Sequence, residues 1–306
     1  MAFIPEDNQL MSCSSDGRVI GWDLTTKEQV KNFKALEDPE DPNAKYSVDC
    51  AFSPDGKWLV TMQAAKPSTT DKTTRGILWD ITTQRPTTFF KPFRSSEQLA
   101  FSPDNNHVAL IARPNSEGEF KVIIWDIDAR KERCTFGTID SISSSIAFSP
   151  DGEQLVLAYE TTVELWDVAK GQQVKSFEIS TKLQFLGPIA FSTDGEHLAL
   201  ALHNHSIQLW KTTGQHAETF EGHSSTVNAV AFSPDGERLA STSFDSTIRL
   251  WDTTRRTETT QQLSRDESQR VQHQKHVQVI AFPYDNKLVA TGSYNFTIIL
   301  WNVATG

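Results

Sequence analysis

The stretch AFSPDGERLASTSFDSTIRLWD, Ala231 to Asp252, decides how the rest of the chain is read. It holds a Pro-Asp-Gly turn, a short apolar run, a Phe-Asp turn and a β-branched run that closes on Trp-Asp. Proline fixes φ at the first corner of a tight turn and glycine relieves crowding at its end. The flanking runs VNAVAF, RLASTS and TIRLWD are β-prone and short, which predicts three strands in succession. Standing alone, such a segment could be the core of a site. Standing among copies, it is a building unit.

Copies are present along the whole chain. Seven of the eight tryptophans close the same pattern: Trp22, Trp79, Trp125, Trp166, Trp210, Trp251 and Trp301. A version of AFSPDG precedes each, starting at Ala2, Ala51, Ala100, Ala147, Ala190, Ala231 and Ala281. The Ala-to-Trp interval is 20 residues in four copies and 19 in one, but 28 and 25 in the second and third. A phenylalanine follows the tryptophan by 11 residues four times (Phe33, Phe90, Phe136, Phe177) and by 10 once (Phe220), marking a fourth strand. Four short antiparallel strands per unit of about 40–45 residues is the pattern of a β-propeller blade.

The bulk properties narrow the function classes. At 306 residues the chain can build a sizeable core. No apolar run is long enough to cross a membrane, and MAFIPEDNQL lacks the form of a secretory signal. Cys13, Cys50 and Cys134 are widely spaced with no C-x-x-C pair, which points to a reducing compartment, cytoplasmic or nuclear, and away from a disulfide frame or zinc knuckle. The net charge of −10 disfavours nonspecific binding to nucleic acid or anionic lipid.

The seven copies resemble the WD40-repeat family over essentially the whole chain. The resemblance implies an all-β fold, a seven-bladed β-propeller formed by residues 1–306 as one domain. The chain starts inside the first strand of its first copy and ends just after the seventh tryptophan. The expectation is therefore a fragment of a longer chain, or a ring incompletely closed at a three-stranded blade. The resemblance further implies a structural hydrogen-bond chain in the sixth copy, from Asp245 through His223 and the hydroxyl of Ser241 or Ser243 to Trp251. The seventh copy offers His273, Asn295 and Trp301. Elsewhere the turn acid is Asp16, becomes Glu160 or Asn204, or falls at Glu119 after a longer loop. Most blades are thus expected to rest on apolar packing. Within the family, the near-consensus sixth copy is similar to WD40 arrays attached to signalling NTPases of fungal type, although no NTPase motif occurs here.

Binding candidates lie in the loops, which carry function more often than the scaffold beneath them. Two long second-to-third-strand loops bring Lys66, Lys72, Arg75 and Arg113, and an acidic loop entering the second copy brings Glu37, Asp38, Glu40 and Asp41. These are expected to cluster on one face. The residue before the turn acid, or before its substitute, is Tyr159, His203, Phe244 and Tyr294 in copies four to seven. Ring-bearing side chains at one repeated position would make an arc suited to partner capture. His203-x-His205 and His273-x-x-His276 lack a third ligand, so no metal site is expected. No phosphate-binding or nucleophile-elbow motif occurs. No catalytic residue, cofactor or small-molecule substrate is expected. The expected function is a non-catalytic scaffold for protein or peptide partners in signalling or complex assembly. The alternatives are a reader of histone tails or ribonucleoprotein and, behind it, a propeller enzyme.

Overall fold

Each copy of the repeat folds as an antiparallel sheet in simple strand order, and no other regular element occurs among the described residues. The structure, a computed structural model, describes residues 1–4, 6–14, 17–35, 48–64, 74–90, 95–113, 119–139, 144–179, 185–254, 261–262, 273, 276–283, 286–294 and 297–304. The contacts divide into two units, Met1–Ile142 and Ser143–Gly306.

The first unit holds three four-stranded blades. Blade 1 is Ala2–Ile4, Gln9–Cys13, Arg18–Asp23 and Gln29–Lys34. Blade 2 is Val48–Phe52, Trp58–Ala64, Thr74–Asp80 and Arg85–Phe89. Blade 3 is Ser95–Phe101, His107–Arg113, Phe120–Asp126 and Lys131–Ile139. The second unit holds four. Blade 4 is Ser144–Phe148, Gln154–Tyr159, Thr162–Asp167 and Gln172–Glu178. Blade 5 is Phe185–Phe191, His197–Leu202, Ile207–Lys211 and His216–Phe220. Blade 6 is Val227–Phe232, Arg238–Ser243, Ile248–Asp252 and the two-residue Gln261–Gln262. Blade 7 has three strands among the described residues, Val277–Ala281, Leu288–Ser293 and Ile298–Asn302. The fold class is the all-β, seven-bladed propeller class that the repeat predicts, with antiparallel pairing throughout.

The AFSPDG motif explains its own recurrence. Its serine is buried and closes the turn between the inner and second strands. Ser53, Ser149, Ser192 and Ser233 donate to the aspartate two residues on at 2.5–2.7 Å, and Ser102 does the same with Asp104. Each hydroxyl also accepts the backbone N–H five residues on, at 2.9–3.0 Å. The last position needs a left-handed backbone, with φ from 56° to 74° at Gly56, Asn105, Gly152, Gly195, Gly236 and Asn286. Glycine and asparagine tolerate that region best, and they occupy the position in these six copies; in the first copy, with Asp7 there, the positive φ falls on Asn8.

Packing between blades is carried by aromatic pairs. The phenylalanine of one outer strand lies against the closing tryptophan of the next blade: Phe33 on Trp79, Phe90 on Trp125, Phe177 on Trp210 and Phe220 on Trp251. Ring centroids are 4.5–6.5 Å apart, within the range where aromatic pairs attract beyond simple burial. Second-strand leucines such as Leu59, Leu155, Leu198 and Leu239 are fully buried beside them.

Candidate functional site

The polar chain of blade 6 forms. His223 Nδ1 donates to Asp245 Oδ2 at 2.9 Å, and His223 Nε2 accepts the Ser241 hydroxyl at 2.7 Å. Trp251 Nε1 donates to Ser241 Oγ at 2.8 Å. Asp245 also accepts the Ser224 amide and the Thr247 hydroxyl. Burial pushes its carboxyl up, but hydrogen bonds from His223, Thr247 and Ser224 outweigh that and hold it well below the usual carboxylate range. Of the two candidate hydroxyls Ser241 is the link. Ser243, on the same strand face but two residues further from Trp251, instead donates to Ser225 O and accepts the Asp245 amide.

Ser241, His223 and Asp245 repeat the pairwise logic of a hydrolase triad. Ser241 is 0 % exposed and its oxygen is already capped by the indole, so no substrate can reach it. Blade 7 repeats the inner part of the chain. His273 links the hydroxyls of Thr297 and Thr291 at 3.0 and 2.8 Å, and Trp301 donates to Thr291 at 2.7 Å. Asn295 lies outside the described residues, as does Asp16.

Other blades treat the indole differently. In blade 2 Trp79 donates to Thr61 at 3.0 Å. In blades 4 and 5 the hydroxyl position is Leu157 and Leu200, and the acceptor moves to the third strand. Trp166 donates to Glu164 and Trp210 to Gln208, both at 2.9 Å. In blades 1 and 3 the indole N–H of Trp22 and Trp125 is buried without a partner among the described residues.

The four ring positions separate into two kinds. Tyr159 turns back into its blade, donating to Glu164 Oε1 at 3.0 Å. Burial, then its bond and proximity to Glu164, push its hydroxyl up to about 12. His203 is exposed beside Asn204, whose side chain is used by the Ser206 hydroxyl at 2.7 Å. Phe244 and Tyr294 are exposed at 38 % and 56 %, and His276 brings them into one surface. The His276 ring lies 4.6 Å from Phe244 and 6.4 Å from Tyr294. His276 Nδ1 donates to Phe244 O at 2.7 Å, and His276 O accepts from Tyr294 N and the Ser293 hydroxyl. Two neighbouring loops are thereby tied through one imidazole.

His276 was not legible as a contact residue, since its spacing from His273 suggests only a ligand pair. The signal in sequence is its place at the entry to the seventh inner strand, one residue before Val277. Lys66, Lys72, Glu37, Asp38, Glu40 and Asp41 lie outside the described residues. Arg75 is placed in the third strand of blade 2 opposite Gln63. Arg113 ends the second strand of blade 3 with its guanidinium 4.4 Å from the Phe120 ring centre. At the opposite strand ends of blade 5, Asp194, Glu196 and His197 hold potential ligand atoms within 4.8 Å of one another. Asp194 is already engaged by Ser192 and the Glu196 amide.

A sheet closed by an indole that an Asp–His–Ser relay holds defines a WD-type repeat blade. Comparison with known proteins agrees: the WD domain, G-beta repeat family model matches residues 214–252 and 267–302. These matches and the seven repeated blades support a WD40-type propeller. The chain is 30% identical over 175 residues to human apoptotic protease-activating factor 1, covering 55% of this chain and 13% of that protein. It is 27% identical over 188 residues to the guanine nucleotide-binding protein subunit beta of Arabidopsis thaliana, covering 56% and 45%. The rice (japonica) subunit beta matches at 27% over 173 residues, covering 54% and 42%. The chain spans less than half the length of each of these relatives.

Proposed function

We propose that the chain is a non-catalytic scaffold that docks protein or peptide partners on the loops of its second unit, with Phe244, His276 and Tyr294 as the principal contact. The carrying observation is the exposure of two large aromatic rings fixed by an imidazole between them. Exposed aromatics held rigid bind with little loss of side-chain freedom, and such anchors dominate interface energies. The scaffold beneath is stiff: Phe244 immediately precedes Asp245, which the relay fixes, and Tyr294 follows a strand joined to His273 through Thr291. Its relatives are named as a subunit of a guanine nucleotide-binding protein and as an activator of a protease, both of which act through other proteins. A role in signalling assembly within the cytoplasm follows as part of the same reading.

The test is a peptide-display selection on the wild-type chain, followed by binding measurements on variants. Phe244→Ser with Tyr294→Ser should weaken the selected peptides at least tenfold, the effect of losing about 1.4 kcal/mol. Val174→Ser, on an exposed outer strand of blade 4, should leave binding unchanged. Equal binding by the double variant, with its melting transition intact, overturns the assignment.

A further inference from the structure

The second strand of each blade presents one side chain, three residues beyond its fully buried leucine, toward the core shared with the following blade. Met62 fills this position in blade 2 and shares a core cluster with Leu99 of blade 3. Ala158 and Ile189 do so for blades 4 and 5, and Ala201 and Val230 for blades 5 and 6. In each case the partner stands one residue before the alanine of the AFSPDG motif. At these three junctions the position is apolar, whereas blade 6 has Thr242 there. At the junction of blades 1 and 2 it is occupied by Cys13 and Cys50, which pack against one cluster formed by Ile4, Met11, Phe52, Leu59 and their neighbours.

Both cysteines lie against this one cluster, from strands of adjacent blades. Cys13 hydrogen-bonds the Cys50 thiol and pulls it below its ordinary value, against burial, which pushes it up. Both residues are reduced and only partly buried, so small oxidants have access. Thiolate character and a nearby resolving thiol are what make a cysteine redox-responsive. Cys134 differs on each count: it stands in the outer strand of blade 3, and burial raises its thiol.

We propose that Cys13 and Cys50 are a redox-responsive pair that closes to a disulfide joining the second strand of blade 1 to the inner strand of blade 2. With a peroxide as oxidant the chemistry balances. The Cys50 thiolate attacks one peroxide oxygen, the O–O bond breaks, and a sulfenic acid and hydroxide form. The Cys13 thiol then attacks the sulfenyl sulfur, the S–O bond breaks, and the hydroxyl leaves as water with the proton that Cys13 gives up. Sulfur is oxidised, peroxide is reduced, and a covalent link spans two blades otherwise held by packing. Such bonds in reducing compartments are transient and regulatory.

The experiment treats the full chain with hydrogen peroxide and maps its peptides under non-reducing conditions. The expected product is a single cross-linked species joining the Cys13 and Cys50 peptides, lighter by the two hydrogens lost. Oxidation should raise the melting temperature, dithiothreitol should reverse the rise, and Cys13→Ser should abolish it. Separate sulfinic or glutathione adducts on the two cysteines without a cross-link overturn the proposal, as does modification of Cys134 alone. Because the peptide map is read on the wild-type chain, a variant that folds poorly leaves the test standing.

Discussion

Blades 6 and 3 share a strand order and a closing tryptophan, yet their indoles meet opposite surroundings. In blade 6 the Trp251 N–H ends a relay through Ser241 and His223 to Asp245. In blade 3 the corresponding second-strand residue is Leu110, and the Trp125 N–H is buried without a partner. Phe90 packs 4.5 Å from Trp125, closer than Phe220 packs on Trp251 at 5.3 Å. The repeat thus requires the ring as a packing surface, and the relay is an addition that individual blades carry. What the relay adds is order in the loop next to it, and blades 6 and 7, which have it, are those whose loops present the aromatic contact.

Breaking the relay at its centre gives the largest effect. His223→Ala removes a hydrogen bond to the Asp245 carboxylate and leaves the Ser241 hydroxyl without its acceptor, and should cost at least about 1.5–3 kcal/mol in urea unfolding. Next comes a paired substitution. Trp251→Phe leaves the Ser241 oxygen short of a donor and should cost about 1–3 kcal/mol more than Trp125→Phe, which gives up no hydrogen bond among the described residues. Equal costs would mean that the two blades do not differ in the way their contacts imply. Blade 4 sharpens the contrast: Glu164→Ala removes the acceptor of both Trp166 and Tyr159 and should cost about 1–2 kcal/mol, with Glu164→Gln restoring most of it.

Acid titration distinguishes the units by sign. Asp245 titrates below its unfolded-state value, so its contribution is present above about pH 4 and is lost as pH falls. Asp245→Asn should therefore flatten the acid limb of the stability profile. Asp49, in the inner strand of blade 2, behaves in the opposite way: burial pushes its carboxyl up to about 6. The folded chain then holds that proton more tightly, so stability is full below about pH 4 and declines as pH rises through 6. Asp49→Asn should raise the melting temperature at about pH 8 by roughly 2–4 °C, on the order of 1 kcal/mol. At about pH 3.5 it should change little.

The strands, the turn serines and the blade-6 relay were legible because each is written within one repeat. The closing tryptophan, the AFSPDG turn and the outer phenylalanine recur at fixed intervals, and local spacing sets local pairing. The features that escaped connect different repeats. His276 joins two loops whose sequences are far apart, and nothing in either loop specifies the other. The substitution of Glu164 and Gln208 for a second-strand hydroxyl could be found two residues before the tryptophan, but only once the indole is known to need an acceptor. Cys13 and Cys50 looked unrelated because linear spacing carries no information about adjacent sheets.

In four repeats the phenylalanine at the outer strand belongs by sequence to one repeat and by contact to the tryptophan of the next. A duplication that copies one whole repeat therefore copies half of two such pairs, and the new halves fit both neighbours without further change. An array of such units can lengthen or shorten by whole repeats while these rings keep their covers. Individual repeats are then at liberty to drift at their indole acceptors, which is the variation this chain displays.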